Sequence, residues 1–168
     1  MVTSGLSEPG QFLTFELEKE VFCIDILKIR EVLDYTDVTK VPRTPDFMCG
    51  VINLRGNVVP VVDLRVKFGL GKTEKTISTC IVIVEIMLED EPAVLGAMAD
   101  SVQEVIELGP ENIEAAPQIG MKLNAEFISG MGRKDEKFII ILNIDRVFSL
   151  NELSCVQKSA DEQSVVNV

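Results

Sequence analysis

The chain has no histidine, no tryptophan, one tyrosine and only four cysteines among 168 residues. Without histidine it can hold no Ser-His-Asp or Cys-His triad, no imidazole metal ligand and no phosphohistidine relay. Cys23, Cys49, Cys80 and Cys155 form no C-x-x-C pair, so thiol-exchange and soft-metal motifs are absent. Such thiols read as reduced, and several as small buried apolar residues, in a cytoplasmic setting. Basic residues are scarce: 16 stand against 27 acidic ones, a formal charge of −11, which disfavours phosphate backbones and hence nucleic acid. The longest apolar runs, such as Phe138 to Leu142 and Ile81 to Val84, are strand length, and no membrane insertion is expected. The opening residues, Met1 to Gly10, lack the basic and apolar regions of a signal peptide. Hydrophobic residues make up 46% of the chain and charged ones 26%, a composition that folds.

What is present is a repeat. Phe47-Met-Cys-Gly50 returns as Phe127-Ile-Ser-Gly130, and Val61-Val-Asp-Leu-Arg-Val-Lys-Phe68 as Ile141-Leu-Asn-Ile-Asp-Arg-Val-Phe148, both 80 positions on. Ile29-Arg-Glu-Val-Leu33 matches Val102-Gln-Glu-Val-Ile106 at 73, and Thr14-Phe-Glu-Leu17 matches Ile83-Val-Glu-Ile86 at 69. The order is the same in both copies, as expected of one β-rich module used twice.

Within the first copy, Leu13, Phe15 and Leu17 alternate with polar residues, and Phe22, Ile24 and Ile26 resume the alternation after Lys19-Glu20, which predicts a hairpin. Ile26, Ile29 and Leu33 are spaced like one face of a helical turn, with Asp25 as its cap. Val38 to Val41 reads as a short strand. Two β-branched runs flank Arg55-Gly56-Asn57, where glycine allows a tight turn. Pro60 has no amide donor, which places its strand at an edge or on a bulge. Asp63 caps a short helix that Gly69 ends, and Asn143 takes the same place in the second copy. Gly109-Pro110 opens a short helix that Pro117 closes, and an amphipathic helix is expected from about Leu150. Many short strands with turn punctuation predict two small barrels packed on each other, with residues 26–32 and 99–105 near the seam.

Few motifs carry chemistry. Gly71-Lys72-Thr73 resembles the end of a phosphate loop, but Val66 stands where that motif needs glycine. Most of the acidic residues occupy outward, alternating positions. Arg55 is the exception, a turn arginine inside an apolar stretch where the second copy has the ordinary charged turn Met131-Gly-Arg-Lys-Asp-Glu-Lys137. Divergence between copies marks Arg55 as a candidate for function. Glu31 and Glu104, each read as a polar residue between buried neighbours, invite the same question.

The block Gly50-Val-Ile-Asn-Leu-Arg-Gly-x-Val-x-Pro-Val-Val-Asp-Leu-Arg65, with Phe68-Gly69, resembles the CheW-type chemotaxis coupling proteins. Ile24-Asp-Ile-x-x-Ile-Arg-Glu-Val32, Val41-Pro42 with Pro45, and Gly96-x-x-x-Asp-x-Val102 support it, and the likeness runs from about Gln11 to Leu150. The resemblance implies a mostly β fold of two SH3-like five-stranded β-barrel subdomains with short helices and a C-terminal helix. The expected division is a CheW-like domain over 11–150, with a first barrel over about 14–70 plus swapped terminal segments and a second over about 77–148. Residues 1–10 would be a tail, and 151–168 a helix and tail. It implies no enzyme, no cofactor and no metal. Its partners would be the histidine kinase CheA, through the kinase's regulatory domain, and the cytoplasmic tip of methyl-accepting chemotaxis receptors, at arrays on the inner face of the membrane.

Carried over by motif, a receptor groove between the barrels is lined by Leu13, Ile26, Ile29, Val32 and Val102, with Glu31 and Arg55 as polar contacts. A kinase face on the first barrel takes in Thr39, Val41, Val51 and Asn53, with Gly50 shaping its backbone. Met98-Ala99, smaller than the usual residues, implies a shallower groove wall. The rival reading is an oligonucleotide-binding small barrel, which would need a basic groove with stacking aromatics. An enzyme finds no supporting constellation.

Overall fold

The computed structural model describes residues 10–88, 90–115 and 125–148. The expected C-terminal helix and tail, Pro117, Cys155 and nearly all of the N-terminal tail lie outside the described residues.

The copies are visible as matching runs of strands. The first contains β1 (Gly10–Leu17), β2 (Glu20–Asp25), β3 (Ile29–Asp34), β4 (Met48–Leu54), β5 (Asn57–Asp63) and the one-turn helix α1 (Leu64–Lys67). The second contains β6 (Cys80–Leu88), β7 (Glu91–Ala99), β8 (Ser101–Leu108), the short β9 (Ile113–Glu114), β10 (Ile128–Lys134), β11 (Lys137–Leu142) and α2 (Ile144–Val147). They share irregularities too. The β4–β5 register slips between Met48 and Gly50, and the β10–β11 register between Ile128 and Gly130, at equivalent places. Bulges so placed are features of the module.

The two SH3-like subdomains are not the two copies. One sheet runs β3-β6-β7-β5-β4 and the other β8-β1-β2-β11-β10-β9. Each copy has given its first hairpin to the other's sheet. The expected division is a first barrel over 14–70 plus swapped terminal segments and a second over 77–148; in the sheets, residues 10–25 join 101–142, and 80–99 join 29–63. The exchanged hairpins enter by parallel pairing, β7 on β5 and β2 on β11. Only the three-residue 3-10 turn Ile26–Lys28, capped by Asp25, separates β2 from β3, and it carries the chain from one sheet into the other.

This exchange builds three apolar layers. Phe12, Cys23, Ile106 and Ile139 fill one barrel, and Ile52, Val61, Ile81 and Ile83 the other. Between the sheets lies the largest cluster, including Phe15, Phe22, Val82, Val84, Leu95 and Phe148. Residues of β6 alternate between barrel interior and seam, so Ile81 to Val84 are all buried. The strand reads as continuously apolar because both of its faces are covered.

Two local expectations change. Asp25 does cap a turn, accepting from the Leu27 amide at 2.9 Å, but the helix ends at Lys28. Residues 29–34 are strand, because pairing with β6 outweighs the helical spacing. Val38 to Val41 contributes a single bridge, Thr39 to Val51. Pro60 lies opposite Val51, whose amide and carbonyl both bond Thr39 on the far side, and the β5–β7 pairing begins only at Val61. Its missing donor therefore falls where no ladder bond is required.

Candidate functional site

The seam between the subdomains carries most of the expected receptor residues. Ile26, Ile29 and Val102 are half-buried and pack on the rim of the central cluster. Val32 and Leu27 beside them are 41% and 87% exposed. An apolar strip is thus open at the seam, formed by the crossover from β2 to β3 and the start of β8. Leu13 is corrected: it is 6% exposed and belongs to the central cluster, because β1 turns that face inward. Met98 and Ala99 are likewise buried, one in a barrel and one in the seam core, so neither forms a groove wall.

Glu31 and Arg55 are joined. The Arg55 Nη1 and Nη2 groups donate to Glu31 Oε2 and Oε1 at 2.7 and 2.9 Å. The turn Arg55–Gly56 has both residues at positive φ, 53° and 87°, as a two-residue hairpin connection requires. That turn aims the guanidinium at β3, the far edge of the same sheet. The fork-on-carboxylate geometry suits arginine and not lysine. The hydrogen bonds from Arg55 hold the Glu31 carboxyl below its ordinary range, opposed by partial burial and helped by the guanidinium charge. The same bonds raise the Arg55 pKa further. Arg55 remains largely open, at 70% side-chain exposure, and the pair borders a cavity of about 410 Å³ that reaches Val58, Pro60 and Val94. In the second copy Glu104 lies 3.7 Å from Lys134 instead, a looser single contact.

The expected kinase residues cluster on the outer sheet of the first barrel. Thr39 and Val51 exchange backbone hydrogen bonds of 2.9 and 2.8 Å. Gly50 has φ of 145°, and a Cβ there would meet the Thr39 carbonyl oxygen at 2.1 Å. Glycine is therefore what lets the 38–41 segment dock. Asn53 accepts from the Gly56 amide at 2.8 Å and steadies the turn that carries Arg55. Thr39 and Asn53 are exposed and Val51 half-buried. Val41 is corrected: at 5% exposure it anchors the loop inward and presents no contact surface.

Four further residues escaped the sequence reading. Lys28 pairs with Asp145 at 2.7 Å, and Arg65 with Asp100 at 3.3 Å, each across the seam. A charge-by-charge comparison of the copies would have raised the question, since Arg65 and Asp145 are equivalent by the 80-residue repeat. A second cavity, about 630 Å³, is lined by Lys40, Arg43, Lys72 and Lys75 above Val38 and Met98. Among the described residues no cluster of three or more potential ligands could hold a metal. Six of the eight phenylalanines are buried, which leaves no aromatic stacking platform. No helix of the described residues is long and apolar enough to cross a membrane.

Comparison with known proteins agrees with this architecture. The CheW-like domain family matches residues 11–152. A chemotaxis protein CheW from Klebsiella aerogenes is 39% identical over 160 residues, covering 94% of this chain and 92% of its own. The CheW of Treponema pallidum is 30% identical over 146 residues, 87% of this chain and 86% of its own. The crystal structure of the scaffolding protein TtCheW from Thermoanaerobacter tengcongensis superposes with a TM-score of 0.75 at 34% identity, over 86% of this chain and 91% of that one. Motif, duplicated fold and near-complete alignment together make this chain a member of the CheW-like family.

Proposed function

We propose that this chain is a non-catalytic chemotaxis adaptor that couples methyl-accepting receptors to the histidine kinase CheA at cytoplasmic receptor arrays. The observation that carries the reading is the CheW-like family match over residues 11–152. The seam strip of Ile26, Ile29, Val32 and Val102, beside Glu31 and Arg55, takes the receptor tip. Thr39, Val51 and Asn53, on the scaffold that Gly50 permits, face the kinase.

A receptor tip is a helical hairpin, and helices dock into grooves through spaced apolar anchors. Four partly covered aliphatic anchors supply roughly 4–8 kcal/mol, against an association cost of about 4–15 kcal/mol. The strip alone binds weakly. Charge-assisted bonds to Arg55 and the avidity of an array supply the remainder.

The test is reconstitution. Purified chain, a receptor cytoplasmic fragment and CheA are mixed and kinase autophosphorylation is followed. Stimulation that depends on this chain supports the reading; rates indifferent to its presence sink it.

A further inference from the structure

Two charged clasps cross the seam, related by the duplication but reversed in polarity. In one, Asp145 on α2 accepts from Lys28 Nζ at 2.7 Å and from the Met87 backbone amide at 2.9 Å. In the other, Asp100 accepts from Arg65 Nη1 at 3.3 Å and from the Glu18 backbone amide at 2.7 Å. Glu18 and Met87 are equivalent positions at the end of the exchanged hairpins, and Arg65 and Asp145 equivalent positions on the helices. Lys28 and Asp100 lie on the two crossovers between sheets. One copy puts the base on the crossover and the acid on the helix; the other does the opposite. In both, the carboxylate also holds the hairpin amide. Each clasp therefore ties together a helix of one subdomain, a crossover and a hairpin strand of the other.

Their place matters. Lys28 lies between Ile26 and Ile29, and Asp100 two residues before Val102, so each wall of the seam strip has one clasp beneath it. The Lys28 and Asp145 side chains are 32% and 28% exposed, against 53% and 41% for the surface pair Arg30–Glu85. Partial shielding reduces screening by salt. The crossover at Lys28 is only three residues long, so displacement of Lys28 must displace Ile26 and Ile29 with it.

We infer that Lys28–Asp145 and Arg65–Asp100 are positioning pairs that hold the two walls of the receptor strip in register, setting receptor affinity without touching the receptor. The inference rests on the reading of the seam as the receptor site. The test uses the full chain, with equilibrium binding to a receptor cytoplasmic fragment and, separately, to the CheA regulatory domain. Lys28→Met and Asp145→Asn each weaken receptor binding about 3- to 10-fold, as coupled contacts do. Kinase binding is unchanged, Lys28→Arg restores receptor affinity, and the double variant loses no more than the worse single one. If Asp145→Asn binds receptor like wild type, Lys28 acts by direct contact and the inference falls. Additive losses, or equal losses toward both partners, overturn it as well. Amide hydrogen exchange gives a readout that needs no receptor: Met87 in Asp145→Ala, which leaves no acceptor for its amide, and Ile29 in Lys28→Met and Asp145→Ala, exchange at least about tenfold faster. Unchanged exchange rejects the clasps. Wild-type chain that binds no receptor fragment rejects the adaptor reading, while the exchange experiment still judges the clasps.

Discussion

Arg55 is engaged by its own chain before any partner arrives. Its two bonds to Glu31 close the first barrel between a hairpin turn and an edge strand, yet most of the guanidinium stays open to receive a second acceptor. Arg55→Ala therefore leaves the fold intact, since an exposed pair adds little to stability. Receptor affinity falls at least about tenfold, as when an interface hot spot is truncated; a titration with receptor fragment reads this, and wild-type affinity refutes the assignment. Glu31 adds a pH signature. Its folded pKa lies below the ordinary 4.5, so the clasp's contribution is complete above 4.5 and is lost as pH falls through the depressed value. NMR titration of the Glu31 carboxyl should show the depressed midpoint, and its return toward 4.5 in Arg55→Ala. Both residues were legible as candidates, Arg55 through the divergence of the copies and Glu31 as a polar residue among positions read as buried. Their pairing was not, because 24 positions of chain separate them and only the curl of the sheet brings them together. Leu13 and Val41 show the converse: an apolar residue in a matched motif cannot announce whether it faces a partner or the core.

At the scale of elements, the bulged β4–β5 hairpin with its docked 38–41 segment is the most constrained piece. A methyl group at Gly50 would collide with the Thr39 carbonyl at 2.1 Å, whereas at Gly130 the equivalent approach to the Glu114 carbonyl is 2.9 Å. Gly50→Ala should therefore destabilise the chain by about 2 kcal/mol or more, and Gly130→Ala by less. Urea unfolding midpoints rank the two; an equal or reversed order is the contrary result. Burial defines a second measurable element. The Cys23 and Cys49 thiols are each pushed up to about 12, by burial first and then by Asp25 and Asp63 respectively. Neither forms appreciable thiolate at pH 8, so both resist iodoacetamide in the folded chain and react once urea unfolds it. Rapid alkylation of either in the native state would contradict the packing of β2 or β4. Hairpins, turn residues and capping aspartates were readable because their causes are local. The strand at 29–34 was not, since its helical spacing yields to a partner strand 50 or so residues away.

At the scale of the whole molecule, the central cluster draws on both sheets and both copies. Neither subdomain can leave without stripping a shared apolar layer from the other, so thermal unfolding should be one cooperative event. Calorimetry tests this: two separable transitions would mean that the barrels are independent and the seam weak. The same sharing explains what could be read in advance and what could not. Amino-acid order alone determined that the module is doubled, that it is built of short strands, and which arginine breaks the symmetry, because repetition and turn chemistry are written in neighbouring residues. Only three-dimensional pairing decided that each copy lends its first hairpin to the other, and with it which apolar residues are spent on the seam and which remain open. Strand exchange keeps every local pattern unchanged whether a hairpin docks at home or across the seam, so no run of neighbouring residues records the choice; it is made by the long-range pairings of β2 on β11 and β7 on β5.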